Sequence, residues 1–234
     1  MSTTIFSAGI PASTDEVDPQ ISLGARYVAP DGRAYRYARA GSSALVAGNL
    51  LQAPAEDTGD QNIAGTVTAV GATEITTAAM TVTANQYTGG YVTVTVTPGL
   101  ANTYKIKSHA AYTAAAATFL LEEPILVALT ATSRLDFVPN PYNGVVAAPT
   151  TAASSLVGVA VNDITASRYG WIQVAGPCSV LNDAAGALTV GVAVMRSSSV
   201  TGAVRLQTAG NPQVGDAMTG IDSGQNGLVN LRLG

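Results

Sequence analysis

Threonine and valine alternate with a period of two through residues 80–97, MTVTANQYTGGYVTVTVT, on both sides of the turn residues Asn85 and Gly89–Gly90. Successive side chains of an extended chain point to opposite faces, so the pattern predicts strands with one dry face and one wet face. No stretch of comparable length carries the 3.6-residue period of a helix. Strand signals recur as IAGTVTAV, EITTAAMTVTAN, GYVTVTVTPG and NTYKIKSHAAY, and later as LVGVAVNDI, YGWIQVAGPCSVL, LTVGVAVMRS, GAVRLQTA and GLVNLRLG. Gly-rich turns separate the later group at intervals of about ten residues, the spacing of a small barrel or sandwich. One segment, AAYTAAAATFLL, is ambiguous between a short helix and a strand, because threonines interrupt its alanine run. The expected class is all-β: small β-barrel or β-sandwich modules with an extended N-terminal arm.

The first hairpin is GARYVAPDGRAYRYARAG. Pro30, Asp31 and Gly32 form its turn: proline presets φ at the first corner, and glycine accepts the positive φ that follows. Arg26, Arg33, Arg36 and Arg39 alternate with Tyr27, Tyr35 and Tyr37, the only concentration of basic and aromatic residues in the chain. Arginine and tyrosine supply planar donors and large rigid contact area, so Arg33, Tyr35, Arg36 and Tyr37 are candidate partner-binding residues.

Residues 1–22 hold Pro11, Pro19 and the acids Asp15, Glu16 and Asp18, with no periodic apolar pattern. Such a segment does not stabilise itself and is expected to lie along a neighbour, with Ile5, Phe6 and Ile10 as its anchors. The low-complexity run AAPTTAASS, residues 147–155, has the composition of a linker. The expected organisation is an arm (1–22), a β-rich domain (23–146), the linker, and a second barrel or sandwich (156–234). Trp171, the only tryptophan, is expected to anchor the core of that second half or its seam with a neighbour.

Composition adds a surface problem. Only 11% of the 234 residues are charged while 47% are hydrophobic, and aromatics reach just 6%. The core must be filled by Val, Ala, Leu and Ile, and too few charges remain to cover the surface. Burial against partners would supply what is missing. The net charge is −4, the only lysines are Lys105 and Lys107, and the nine arginines form no stripe, so nucleic-acid binding has no electrostatic footprint. No apolar run is long enough to span a bilayer, and the N-terminus has no secretory pattern, so neither a membrane nor an exported location is expected.

Candidate chemistry is sparse. Cys178 and His109 each stand alone, which rules out an intrachain disulfide and fits a reducing compartment, and no third residue completes a triad with them. Glu122 and Glu123 are adjacent, so on a strand they point to opposite faces and do not converge for acid–base work. Asp57, Asp60 and Asn62 lack the closing acid and the glycine offset of a calcium loop. Gly186 and Gly191 lack the lysine and helix of a phosphate cradle. No catalytic residue, metal or cofactor is expected.

Three passages, DGRAYRYARAGSSALVAGNLLQ, SRLDFVPNPYNGVV and VGVAVNDITASRYGWIQVAGPCSVLND, resemble tailed-bacteriophage head decoration (cement) proteins. The resemblance implies a non-enzymatic virion protein, made in the host cytoplasm, that self-associates as a homotrimer. It further implies that the protein binds the major capsid protein on the outer face of the head and stabilises the lattice. A tail or head–tail connector subunit is the alternative, although the fixed-period repeat of a fibre is absent. A β-rich polysaccharide-degrading enzyme would need converging carboxylates in an aromatic groove, and the chain has neither.

Overall fold

The computed structural model describes residues 4–5, 15–183 and 185–234. All regular structure among them is strand apart from one 3₁₀ turn, Thr58–Asp60, which bears out the all-β class. Phe6 and Ile10 fall outside the described residues, as does most of the expected arm. The chain forms two compact units. Met1–Ala55 and Pro141–Gly234 make the first, and Glu56–Asn140, inserted between them in sequence, make the second. Strands β1 (Thr4–Ile5), β2 (Arg26–Val28), β3 (Ala34–Ala40) and β4 (Leu50–Gln52) precede the insertion.

The second unit holds β5 (Ile63–Ala64), β6 (Glu74–Val82), β7 (Tyr91–Val96), β8 (Thr103–His109), β9 (Tyr112–Leu121) and β10 (Arg134–Val138). Their sheet order is β5-β10-β7-β8-β9-β6. A bridge between Gly65 and Thr77, with the Thr66 amide donating to the Thr76 carbonyl at 3.0 Å, brings the end of β5 onto β6 and closes a six-stranded barrel. The alternation read in the sequence sorts its side chains: Val92 and Val94 of β7 are buried, while Tyr91 between the turn and Val92 is exposed. Ile75, Tyr104, Ile106, Phe119, Leu121 and Leu135 join them in the core, where the Phe119 and Phe137 rings lie 4.5 Å apart. The ambiguous alanine-rich segment is strand β9. It pairs along β6, and its C-terminal half alternates buried Ala117, Phe119 and Leu121 with more exposed neighbours. The ladder and the buried alternate face override the weak helix preference of the alanines.

After the insertion come β11 (Asn143–Ala147), β12 (Leu156–Ala160), β13 (Tyr169–Leu181), β14 (Ala193–Arg196), β15 (Val204–Leu206), β16 (Gly215–Ala217) and β17 (Asn226–Arg232). The order β3-β11-β4-β12-β13 returns to β3, because β13 pairs with both β12 and β3. This five-stranded ring encloses Ala38, Ala40, Leu45, Leu51, Val145 and Ile172. From Ala175 onward β13 pairs instead with β17, which continues through β16 and β14 to β15. A parallel bridge from Asn182 to Val204 brings β15 back to the end of β13, making a second ring around Cys178, Val180, Val194, Val214, Val229 and Leu231. Where β13 passes from one ring to the other, the buried Gln173 side chain donates to the carbonyls of Ala175 and Pro177 at 3.0 and 2.9 Å. Gly215 is obligatory at its place in β16, since a Cβ there would lie 2.2 Å from the Asn230 carbonyl oxygen.

Residues 147–155 are no linker between domains. The Ala148 amide donates to the Leu50 carbonyl, and the Ala53 amide donates to Ser155, so the run is the turn by which β11 and β12 flank β4 within the first unit. Its small polar residues mark a surface turn, which has the same composition as a linker. The chain divides instead at 55/56 and 140/141.

Candidate interaction surface

The Arg–Tyr hairpin folds as its turn dictates. Gly32 takes φ of +87°, the Ala29 amide bonds to the Arg33 carbonyl, and Tyr27 pairs with Tyr35 across β2 and β3. The three tyrosines face inward. Tyr27, Tyr35 and Tyr37 are buried with Trp171 in a cluster of ring contacts 5.4–5.9 Å apart, so Tyr35 and Tyr37 serve the core rather than an open face. The Tyr37 hydroxyl donates to the Glu16 carboxylate, and burial pushes its pKa up to about 12.

The arginines divide by partner. Arg33 is held by Asp31, Nε to Oδ2 at 2.7 Å, and the Arg33 amide is the main reason the Asp31 carboxyl sits below its ordinary value. Arg39 donates to the Ser167 carbonyl and lies 5.9 Å from the centre of the Tyr169 ring. Arg36 donates one terminal nitrogen to the Gly24 carbonyl at 2.8 Å and stacks near Tyr142. Arg26, which pairs directly with Arg36 in the ladder, makes no ion pair among the described residues. The turn position alone fixes this pairing, so the juxtaposition of Arg26 and Arg36 was readable from the sequence once Pro30–Gly32 was taken as the turn.

Of the expected arm anchors, Ile5 lies in β1, where its backbone pairs in parallel with Tyr27. The acids that follow are tied to the first unit. Asp15 accepts from the Thr165 amide and hydroxyl at 2.9 and 2.7 Å and from Arg168 at 3.2 Å, while Glu16 bridges to Tyr169. The Thr165 hydroxyl is the leading cause that holds the Asp15 carboxyl low.

The residues with latent chemistry are occupied elsewhere. Cys178, in the first unit, is buried, and burial pushes its thiol up to about 12. His109, in the second, accepts the Tyr87 amide at Nε2 (3.0 Å) and so donates from Nδ1 to the Ala110 carbonyl (2.9 Å). Burial lowers its pKa and favours this neutral form. In the 56–62 loop Asp57 caps the 3₁₀ turn by accepting from the Gly59 amide, and the Tyr87 hydroxyl donates to buried Asp60 at 2.5 Å. Glu122 pairs with Lys105 at 3.1 Å. Among the described residues no group of three or more His, Cys, Asp or Glu side chains is placed to hold a metal ion.

One polar centre went unread in the sequence. Asp183 is buried and accepts from the Ser197 and Ser199 hydroxyls and the Ala185 amide, with Arg205 at 3.8 Å. Burial opposes its ionisation, but these bonds and the arginine outweigh it and hold the carboxyl low. Its role is to tie the loop after β14 to the end of β13. The run Ser197-Ser198-Ser199 was the available signal.

Two surface properties remain. Charge is divided unevenly: residues 56–140 carry seven carboxylates against three cations, while the first unit balances eight against eight, so the whole net −4 belongs to the second unit. The second unit also exposes large apolar side chains. Val67 (82%), Val70 and Leu126 (68%) stand on two segments joined by reciprocal Thr68–Leu129 backbone bonds.

Cys178, His109, Asp15, Asp60 and Asp183 are all engaged in bonds or burial within the fold. Residues 129–233 match the family model of phage cement proteins, and the resemblance to head decoration proteins is thereby borne out over that part of the chain. The match supports a capsid-associated structural component of a bacteriophage virion. No curated protein and no solved structure matches the chain.

Proposed function

We propose that this protein is a non-enzymatic cement subunit that binds the major capsid protein on the outer surface of a phage head, as a homotrimer, and stabilises the lattice. The family match over residues 129–233, which takes in β10 to β17, is the observation that carries the reading. Low charge and the exposed apolar residues of the second unit support it, since both call for burial against partners. The mechanism is mechanical. A pressurised shell fails at the seams between capsomers, so a protein spanning them adds binding free energy that must be lost before rupture. Many identical copies make a modest affinity per site sufficient.

The test is to mix purified protein with bare heads and follow binding by electron microscopy and co-sedimentation, then heat decorated and bare heads in parallel. Ordered surface density and a higher rupture temperature are expected. Absence of binding to heads, or binding to tails alone, would overturn the proposal.

A further inference from the structure

Arg26 and Arg36 are an unusual pair to place opposite one another. The backbone bonds of the hairpin join Ala25 with Tyr37 and Ala29 with Arg33, so the two-residue alternation makes Arg26–Arg36 a non-hydrogen-bonded pair, the site at which facing side chains come closest. Like charges directly opposite destabilise a ladder. Both arginines are half-buried, and the Nε of each is shielded from solvent without an acceptor. Among the described residues no carboxylate forms an ion pair with either, although Arg33, three residues from Arg36, has its acid 2.7 Å away. The like-charge contact would be relieved by one anionic acceptor facing both guanidiniums.

We infer that Arg26 and Arg36 together receive a carboxylate from the second unit of another copy of this chain. Charge complementarity selects that occupant. The arginine pair lies in the unit with no net charge, and the surplus of four negative charges lies in the other. Glu56, Glu74 and Glu123 of that unit are exposed and make no ion pair among the described residues. An interface joining different patches on the two copies is heterologous, the kind that closes into a ring. The inference deepens the self-association in the proposed function and rests on that reading. It is tested without heads so that the two can fail separately.

Sedimentation velocity of the purified full chain, in low and in high salt, is compared for wild type, an R26Q/R36Q variant and an E56Q/E74Q/E123Q variant. Each variant is expected to weaken association about tenfold or more, the loss of a charged pair across an interface. Combining them should add little, and high salt should reproduce the loss. The R26Q/R36Q variant should keep the folded circular dichroism spectrum, so that a loss of association is not a loss of structure. A wild type that stays monomeric, or association unchanged in R26Q/R36Q, would overturn the inference.

Discussion

Replacing Tyr87 by Phe isolates one bond in the barrel of the second unit. The Tyr87 hydroxyl donates to Asp60 at 2.5 Å, and the Asp60 side chain is 4% exposed, so water does not replace the lost donor. A hydrogen bond to a buried charged acceptor contributes roughly 1.5–3 kcal/mol. Residues 56–140 form the unit, and a domain of that size loses about 4–8 °C of midpoint per kcal/mol. The calorimetric transition of this unit should therefore fall by about 6–24 °C at pH 7. The pH dependence supplies a second check. Burial raises the Asp60 carboxyl above its ordinary value of 3.8, and the Tyr87 hydroxyl pulls it back down. A raised folded value means that the folded state holds the proton longer, so this group's contribution to stability grows as pH falls through the folded value and levels off below 3.8. Without the hydroxyl the folded value rises further, and the relief on acidification is larger. The deficit of the Phe variant should thus narrow between pH 7 and pH 4. A midpoint change below about 3 °C at pH 7, or a deficit that widens in acid, would refute the reasoning.

Other outcomes follow from the same geometry. Gly215→Ala forces a Cβ to 2.2 Å from a backbone oxygen, and denaturant unfolding should show a loss of about 2–3 kcal/mol or more. Cys178 should resist a thiol reagent in the native protein and react on unfolding, because its thiol is buried and pushed up to about 12; rapid native labelling would contradict this. His109 is held neutral by burial, with a folded pKa below 6.5, so its contribution is complete above that pH and is lost as pH falls through the lowered value. Chemical denaturation at pH 7.5 and 5 should show this loss in wild type and not in His109→Gln.

The strands were legible because period-two patterning is local: the Thr–Val run of β7 and the Pro30–Gly32 turn state their own conformation. Even the Arg26–Arg36 register follows from that turn. The unit boundary was not legible, because it depends on pairings between distant segments, such as β3 with β13 and β4 with both β11 and β12. Composition at 147–155 describes a solvent-facing turn and a linker equally well. The tyrosines of the hairpin misled for a related reason. Alternation with arginine suggested an open face, but Trp171 on β13 covers them, and only tertiary structure brings that residue to β3. The Asp183 centre joins residues 14 and 16 apart, a spacing that matches no local pattern.

The discontinuity of the first unit also orders events during synthesis. Strand β3 emerges from the ribosome about a hundred residues before its neighbours β11 and β13, whereas every strand of the inserted barrel finds its partners within residues 63–138. The insert can close while the N-terminal hairpin still waits, with Tyr27, Tyr35, Tyr37, Ala38 and Ala40 unburied. Until β13 has been made, that hairpin is an unpaired apolar edge, open to the same segment of other nascent chains. Growth temperature and translation speed should therefore govern the yield of soluble subunit more than the final stability of the folded protein does.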